Sequence, residues 1–309
     1  NKGQTKHNGS VIKTLIGEFD YPKQGPGMMW ETVADSVSQR GSRIRFRAGV
    51  EQIHWAKNLI KTMEIEVDGQ RELIEGTDFL SSMPIRELIQ KFEPAVPKEV
   101  LLAAMNLNYR DFITVALIIN KRELFPDNWL YIHEPTVKLG RIQNFKNWSP
   151  YMVADPSKTC LGLEYFCFEG DGLWTMSDQE LIELGKRELE SLGLVQASEI
   201  EDGSVVRMPK AYPVYDSTYA EALQTVREFL SSIDNLQTVG RNGMHKYNNQ
   251  DHSMLTAMLA VKNILGEDND LWMINADQEY QEEVRINHEN KVSDFALLAS
   301  TQPLVPQRK

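Results

Sequence analysis

Four apolar runs in the middle of the sequence constrain the fold more than any other feature of the chain. They read ITVALIIN, WLYIHEP, IQNFKNW and CLGLEYFCF, and they follow one another at short intervals. β-Branched and aromatic residues in such runs favour strands over loops. We therefore predict one mixed or antiparallel sheet within a block that spans residues 85–210.

The sequence before this block alternates between helix and strand patterns. In residues 15–84, apolar residues at helical spacing predict a helix from Met28 to Gln39. The run RIRFRAGVEQIHW, in which apolar residues alternate with arginines, predicts a half-buried strand. Asp68-Gly69 is typical of a hairpin turn between two further strands.

The same alternation returns after the block, in residues 211–275. We predict a helix from Tyr219 to Ser232, a short strand in NLQTVG, and an amphipathic helix that ends at Gly266. The remaining segment, 276–309, is a mostly polar tail. Inside the middle block, Ser177 and Glu180 form a capping-box pattern, and Gly193 follows at the position that ends such a helix.

Composition excludes several classes of function. The 309 residues include 44 acidic and 33 basic ones, for a formal net charge of −11. This balance argues against a nucleic-acid partner, because phosphate binding needs clustered Lys and Arg. No apolar run is long enough for a membrane span, and the polar first ten residues do not resemble a secretory signal. Cys160 and Cys167 predict free structural thiols and a cytoplasmic location, and no residue pattern predicts a metal site.

The segment NLQTVGRNGMHKYNNQDHSM is the part of the sequence that most strongly indicates a function. A strand that ends in glycine is followed by a polar loop and by a helix that starts between Asp251 and Ser253. The first turn of a helix presents free N–H groups and a positive dipole end, which favour an anionic ligand. Arg241 is able to make bidentate contacts with phosphate. The alternative is a long surface loop with a polar helix cap.

Several segments together resemble one protein family. YPKQGPGMMWETVADSVSQRGSRIRF, GVEQI, AYPVYDSTY and NLQTVGRNGMHKYNNQDHSM are similar to segments of the flavin-dependent amine oxidase superfamily. The branch that resembles this chain most contains UDP-galactopyranose mutase and protoporphyrinogen oxidase-like proteins. The mutase loop has the pattern G-R-x-G-x-x-x-Y-x-D-x-D, and it is matched here by Gly240, Arg241, Gly243, Tyr247 and Asp251. Asn249 replaces the first aspartate of that pattern.

The resemblance implies an α/β fold with two domains. Residues 15–84 and 211–275 would form part of a glutathione reductase-like, FAD/NAD(P)-binding domain. Residues 85–210 would form an α+β substrate domain. It implies FAD as cofactor and Arg241 and Tyr247 as the catalytic residues that hold the substrate. The residues it assigns to the cofactor are Val50, Gly240, Gly243, Asn249, Asp251, His252 and Ser253. Family members open with a strand–helix–strand unit that carries G-x-G-x-x-G. This chain has no such motif, so we expect a fragment that binds FAD weakly or not at all.

Three functions are consistent with the sequence, and each involves a small-molecule substrate or ligand. The first is an FAD-dependent oxidoreductase similar to protoporphyrinogen oxidase. The second is a flavin-dependent sugar-nucleotide isomerase, and the third is a binding or scaffold domain that has lost its cofactor. If IQNFKNW is a strand, alternate residues share a face. On that basis we expect a substrate pocket lined by Arg141, Asn144, Lys146 and Trp148.

Overall fold

The computed structural model describes residues 20–275. Its helices are α1 Pro26–Gln39, α2 Ile85–Gln90, α3 Lys98–Met105, α4 Phe145–Trp148, α5 Asp178–Ser191, α6 Tyr219–Ser231, α7 Gly240–Gly243 and α8 Gln250–Ile264. Its strands are β1 Ala48–Ala56, β2 Leu59–Val67, β3 Gln70–Glu75, β4 Phe79–Ser81, β5 Phe92–Glu93, β6 Tyr109–Ile119, β7 Trp129–Tyr131, β8 Arg141–Asn144, β9 Thr159–Cys167, β10 Ile200–Pro213 and β11 Leu236–Thr238. The predicted polar tail, 276–309, lies outside the described residues, as do the first residues of the 15–84 block.

The central apolar runs form the predicted sheet, and it is fully antiparallel. Its strand order is β10-β6-β9-β8-β7. Alternate residues of β6 are buried along its whole length, with Ile113, Val115 and Leu117 fully buried. Leu181 and Leu189 of α5 close the core on this face. The opposite face, called the open face below, is not covered by α5.

Helix α5 confirms the predicted capping box. The Ser177 side chain accepts a hydrogen bond from the Glu180 backbone, and the Glu180 carboxylate accepts one from the Ser177 backbone. Gly193 follows the helix with φ of 68°, a left-handed conformation that glycine adopts without strain. The cap fixes where α5 starts and so which of its residues meet the sheet.

A second core lies between the β3-β2-β1-β5 sheet and helices α2, α3 and α6. The predicted hairpin is confirmed, since Asp68 and Gly69 join β2 to β3 with positive φ angles. Val100 of α3 and Val226 of α6 are both buried in this core. Residues 85–107, which the sequence analysis groups with the middle block, therefore pack here rather than against the antiparallel sheet.

Two predicted strands are shorter than expected. In RIRFRAGVEQIHW the strand starts only at Ala48, and Phe46 is 80% exposed. Arg47 has φ of 55°, which interrupts the extended backbone before the strand. The other case is IQNFKNW, in which β8 ends at Asn144 and residues 145–148 form helix α4 instead of strand.

Strands β4 and β11 form a separate two-stranded parallel sheet, and β11 leads directly into α7 and α8. This confirms the predicted strand–loop–helix order of the last block, although α7 was expected to be part of a loop. Helix α7 packs closely on β4. A Cβ atom at Gly243 would lie 2.6 Å from the Ser81 carbonyl oxygen, so this contact requires glycine.

Helices α1 and α8 keep apolar side chains on the surface. No residue of α1 is buried. Its Trp30 and Val33 are exposed, as are Met258 and Val261 of α8. Parallel sheets are normally covered on both faces and extended at their edges. The two-stranded sheet and these two helices thus leave several large apolar side chains exposed.

Two further properties concern the whole described region. Within residues 20–275, no helix combines the length and the apolar character that a membrane span requires. The same residues contain no group of three or more His, Cys, Asp or Glu side chains arranged to hold a metal ion. Cys160 and Cys167 lie on β9 as predicted, and both are buried free thiols.

The close contact between α7 and β4 leads to a prediction. Gly243→Ala should lower the free energy of unfolding by about 1–3 kcal/mol, because the new methyl group overpacks against backbone that has no room to move. Urea denaturation measures the loss. Gly172→Ala is the matched control, since a Cβ atom there meets no heavy atom within 4 Å. Equal stability of the two variants would contradict the close approach.

Candidate functional site

The open face of the antiparallel sheet carries aromatic and charged side chains. Directly opposed residues of neighbouring strands point to the same face. Tyr131 is opposite Arg141, and Arg141 is opposite Glu164. Tyr212 is likewise opposite Arg110. One face of the sheet thus forms an apolar core while the other presents groups suited to a polar or aromatic ligand.

A cavity of about 250 Å³ opens on this face. Each of the five strands contributes one side chain, and the segment between α7 and α8 contributes a sixth; these are Arg110, Tyr131, Arg141, Phe166, Tyr212 and Tyr247. The rings of Tyr212 and Tyr247 are stacked, with centroids 5.3 Å apart. The cavity therefore combines aromatic walls with two guanidinium groups.

Arg141 is held in place by a carboxylate. Its Nε donates to Glu164 Oε2 at 2.6 Å, and the two side chains are 20% and 7% exposed. Burial lowers the pKa of Arg141, but the hydrogen bond and the charge of Glu164 outweigh burial and raise that pKa above its ordinary value. Arg141 stays charged, and Glu164 neutralises that charge within the site.

Arg110 is in a different electrostatic position. Its guanidinium carbon lies 4.4 Å from the centre of the Phe168 ring. Within residues 20–275, Arg110 forms no ion pair with an acidic side chain. A cation that is not neutralised at the wall of a cavity attracts an anionic group. Arg110 is therefore the group through which the cavity gains its positive charge.

Arg241, a predicted catalytic residue, uses its donors to hold the segment between α7 and α8. Its Nε donates to the Asn248 carbonyl at 2.8 Å and its Nη1 to the Ala211 carbonyl at 3.0 Å. Its guanidinium carbon lies 4.7 Å from the Tyr247 ring and 5.0 Å from the Tyr212 ring. Arg241 thus positions the two tyrosines that face the cavity.

The predicted cofactor residues gather at the start of α8. Asn249 is the N-cap and forms reciprocal hydrogen bonds with the first turn, in which the Asn249 N–H donates to His252 Nδ1 at 3.3 Å. Asp251 lies in that turn, beside His252. The nearest atoms to a Cβ built on Gly240 belong to Ser253, at 3.9 Å. The structure therefore brings these residues together.

Val50 lies elsewhere, whereas Gly243 belongs to α7 and is two residues from Arg241. Val50 is a half-buried residue of β1 that packs on the core formed with α2, α3 and α6. Gly243 is buried against Ser81, as described above. Val50 is therefore separate from the group that Tyr247, Arg241 and the start of α8 form.

The predicted substrate pocket needs correction. Arg141 lines the cavity, but the strand that was expected to align the other three residues ends at Asn144, which is buried. Lys146 donates to three backbone carbonyls, those of Arg122, Pro156 and Lys158. Trp148 is stacked between two other aromatic rings. Helix α4 redirects these side chains, so the premise of a shared strand face is wrong for them.

Four cavity residues escaped the sequence analysis: Arg110, Tyr131, Phe166 and Tyr212. Tyr131 and Phe166 lie in runs that were predicted to be strands, and their alternation with apolar neighbours was the available signal. Arg110 precedes the predicted strand ITVALIIN, and Tyr212 lies in AYPVYDSTY, which was not predicted to be a strand. Only pairing across five strands brings them together. Sequence spacing does not reveal such pairing.

His245 is a buried histidine in the same polar segment. It is fully buried, and its ring lies edge-to-face against Tyr109 with centroids 4.9 Å apart. Burial lowers the pKa of His245 to about 4. Its Nε2 lies 3.4 Å from the Val214 carbonyl, whereas Nδ1 and the Tyr109 hydroxyl have no hydrogen-bond partner among the described residues. His245 is therefore neutral at neutral pH.

No known protein-family model matches this sequence, and no curated protein matches it. Solved structures do match its fold. A reduced UDP-galactopyranose mutase has a TM-score of 0.70 at 19% identity, with 82% of this chain and 54% of that chain covered. A candidate protoporphyrinogen oxidase from Exiguobacterium sp. 255-15 has a TM-score of 0.58 at 17% identity, with 78% and 52% covered.

A putrescine oxidase with bound putrescine matches with a TM-score of 0.53 at 13% identity, covering 79% of this chain and 53% of that chain. The chain thus spans about half the length of the solved structures it matches. At these identities the likeness is one of fold. It confirms the mixed α/β architecture that the resemblance to flavin-dependent amine oxidases implies.

The buried pair on the open face leads to a prediction about stability. Glu164→Ala should lower the free energy of unfolding by about 3 kcal/mol, because it leaves the mostly buried Arg141 charge without its partner. Chemical denaturation measures the change. Glu183→Ala removes an exposed i,i+3 partner of Lys186 and should barely shift the midpoint. A large loss of stability in the Glu183→Ala variant would show that denaturation does not distinguish the buried ion pair from the exposed one.

His245 makes stability depend on pH. Its pKa of about 4 in the folded state lies below the ordinary histidine pKa of 6.5. Between these two pKa values the unfolded state therefore binds more protons than the folded state. As the pH is lowered through that range, the free energy of unfolding falls by up to about 3 kcal/mol. His245→Gln should flatten the pH dependence. His54→Gln, in β1, is the matched control and should keep the wild-type slope.

Proposed function

We propose that this chain forms the substrate-binding part, and one side of the cofactor-binding part, of an FAD-dependent enzyme that acts on an anionic small molecule. The observation that carries this proposal is the cavity on the open face, where Arg110 and Arg141 lie among tyrosines. The cavity adjoins the segment that leads into α8. Ligand site and candidate cofactor site therefore share one wall, formed by Tyr247.

FAD is the cofactor that the residues at the start of α8 fit. This helix has 15 residues, so its first turn offers free N–H groups and the positive end of a full helix dipole. Gly240, with φ of 78°, is buried next to Ser253, and its backbone N–H donates to Thr256 Oγ1 in the second turn of α8. We assign cofactor contacts to Gly240, Asn249, Asp251, His252 and Ser253. A bound flavin supplies hydride or electron transfer, which no side chain provides.

A second unit is part of this proposal. The sheet formed by β4 and β11 has only two strands, and α1 and α8 keep Trp30, Val33, Met258 and Val261 on the surface. A parallel strand–helix–strand unit would extend that sheet and bury those residues. Such a unit would also bring the glycine-rich phosphate loop that FAD binding requires. We propose that the active enzyme contains it.

The charges of the cavity indicate the kind of substrate. Glu164 neutralises Arg141, and Arg110 remains available, so the site suits one phosphate or diphosphate group bound by Arg110 and oriented by Arg141. Tyr212 and Tyr247 offer hydroxyl groups and ring faces on the same wall. An apolar amine has no anionic group for Arg110 to bind, and a carboxylate-bearing tetrapyrrole is larger than a cavity of about 250 Å³. We therefore favour a phosphate-bearing substrate, as in a sugar-nucleotide isomerase, over the substrate of a protoporphyrinogen oxidase.

The residues of this chain would perform three tasks. Arg110 holds the anionic group, and Arg141 orients it from a fixed position on Glu164. Arg241 keeps Tyr212 and Tyr247 stacked so that their hydroxyls meet the ligand. The tyrosine rings and Phe166 exclude water from the side of the cavity that faces the cofactor.

Arg110→Gln should weaken binding of inorganic pyrophosphate by about tenfold, because a charge-assisted contact is lost. Isothermal titration calorimetry on the whole chain measures this. Arg122→Gln removes an arginine that is 80% exposed and should bind like the wild type. Pyrophosphate binding that is unchanged in the Arg110 variant would contradict the assigned anion site.

The cofactor is tested separately. Protein purified from its natural source should show the visible absorption bands of bound flavin. A colourless protein that FAD does not reconstitute would contradict the enzyme assignment and favour a binding or scaffold domain. The pyrophosphate titration would still report on the cavity in that case.

A further inference from the structure

Strand β3 is an uncovered edge of the β3-β2-β1-β5 sheet. All of its residues, Gln70–Glu75, are exposed. Strand β2 pairs with one side of β3, and within residues 20–275 no backbone hydrogen bond joins the other side to another segment. The pairing with β2 is continuous and has no bulge, and β3 contains no proline. A regular edge strand of this kind is able to pair with a further strand.

The hairpin turn determines which residues of β3 point their backbone groups outward. Both residues of the turn have positive φ, as in a two-residue hairpin loop, so the flanking residues Val67 and Gln70 form a hydrogen-bonded pair. Hydrogen-bonded and non-hydrogen-bonded pairs alternate along an antiparallel ladder. The N–H and C=O groups of Arg71, Leu73 and Glu75 therefore point away from β2.

The side chains of these three residues lie on one face of the sheet, because they are two positions apart. In order they are positive, apolar and negative. Leu73 is 64% exposed, although charged side chains lie on both sides of it. Arg71 contacts Glu64 of β2 at 2.8 Å, yet its side chain is 62% exposed. A guanidinium has five donors, so Arg71 is able to contact a second carboxylate as well.

A second copy of β3 in antiparallel orientation matches this pattern in one register. With the two copies of Leu73 opposite each other, Arg71 of each copy lies opposite Glu75 of the other. A register shifted by two residues in either direction pairs Leu73 with a charged side chain. A shift by four places two copies of Arg71 or two copies of Glu75 opposite each other, which is repulsive. Charges on an edge strand usually keep copies apart, but here their order favours one specific pairing.

We propose that β3 is a self-association edge, at which two copies of this chain pair antiparallel around a two-fold axis at Leu73. The contact is self-complementary, as a two-fold interface requires. It joins the two four-stranded sheets into one continuous sheet, with two Arg71–Glu75 ion pairs on either side of the Leu73–Leu73 contact. The proposal is independent of the cavity and of the cofactor, because neither site includes β3.

Charge reversal tests the pairing, with sedimentation velocity of the whole chain as the measurement. The wild type should form dimers as its concentration rises. Arg71→Glu and Glu75→Arg should each weaken dimerisation by about tenfold, because each variant places like charges opposite each other at two symmetry-related positions. Arg122→Glu is the control: it reverses a charge on a side chain that is 80% exposed, and it should dimerise like the wild type.

An equimolar mixture of the two single variants should form heterodimers with nearly the wild-type affinity. Each opposed pair then again joins an acidic and a basic side chain. The double variant, Arg71→Glu with Glu75→Arg, should recover the homodimer for the same reason. A wild type that stays monomeric at every concentration would overturn the proposal. Dimers that both single variants leave intact would overturn it, and so would a mixture that does not recover them.

Disulfide formation tests the position of the two-fold axis. Leu73→Cys should cross-link two chains under mild oxidation, because directly opposed Cα atoms in a hydrogen-bonded pair lie about 5.5 Å apart, within disulfide range. Ile74→Cys is the matched control, since its two copies are not opposite each other in this register and should not cross-link. The natural cysteines, Cys160 and Cys167, are buried. Equal cross-linking of the two variants would contradict the register.

Discussion

Alternate residues of β6 point to opposite faces of the antiparallel sheet, and α5 packs against only one of those faces. The buried face, with Ile113, Val115 and Leu117, supplies the apolar contacts that stabilise the sheet. The other face is free to carry charges and aromatic rings. The cavity lies on this second face, so one-sided burial of the sheet makes this candidate ligand site possible.

Charge on the open face is arranged so that most of it is neutralised. Glu164 pairs with Arg141 because an unpaired guanidinium at this depth would destabilise the fold. Arg241 directs its donors at backbone carbonyls and its flat face at Tyr247 and Tyr212. Of the two arginines that line the cavity, Arg110 is the one without an acidic partner among residues 20–275, and one such cation is what a site for one anionic group requires.

Several elements followed from local sequence rules. The capping box at Ser177, the hairpin at Asp68-Gly69 and the start of α8 near Asn249 each depend on residues within one or two turns of chain. Local rules failed in two places. The arginine-rich run before Ala48 alternates like a strand but is interrupted at Arg47, and residues 145–148 form α4, whose Phe145 ring lies over Gly162. The helical conformation of residues 145–148 thus depends on a contact between neighbouring strands, which a local rule does not include.

Local sequence patterns were sufficient to predict a central sheet, the helices around it, and the glycine- and arginine-containing segment before α8, because periodicity and capping are local properties of the chain. Tertiary structure alone decided which side chains share the cavity. Arg110, Tyr131, Phe166 and Tyr212 come from four strands spread over about a hundred residues, and they meet only because strand pairing places them on one face. Pairing partners far apart in the chain leave no periodic signal in the sequence.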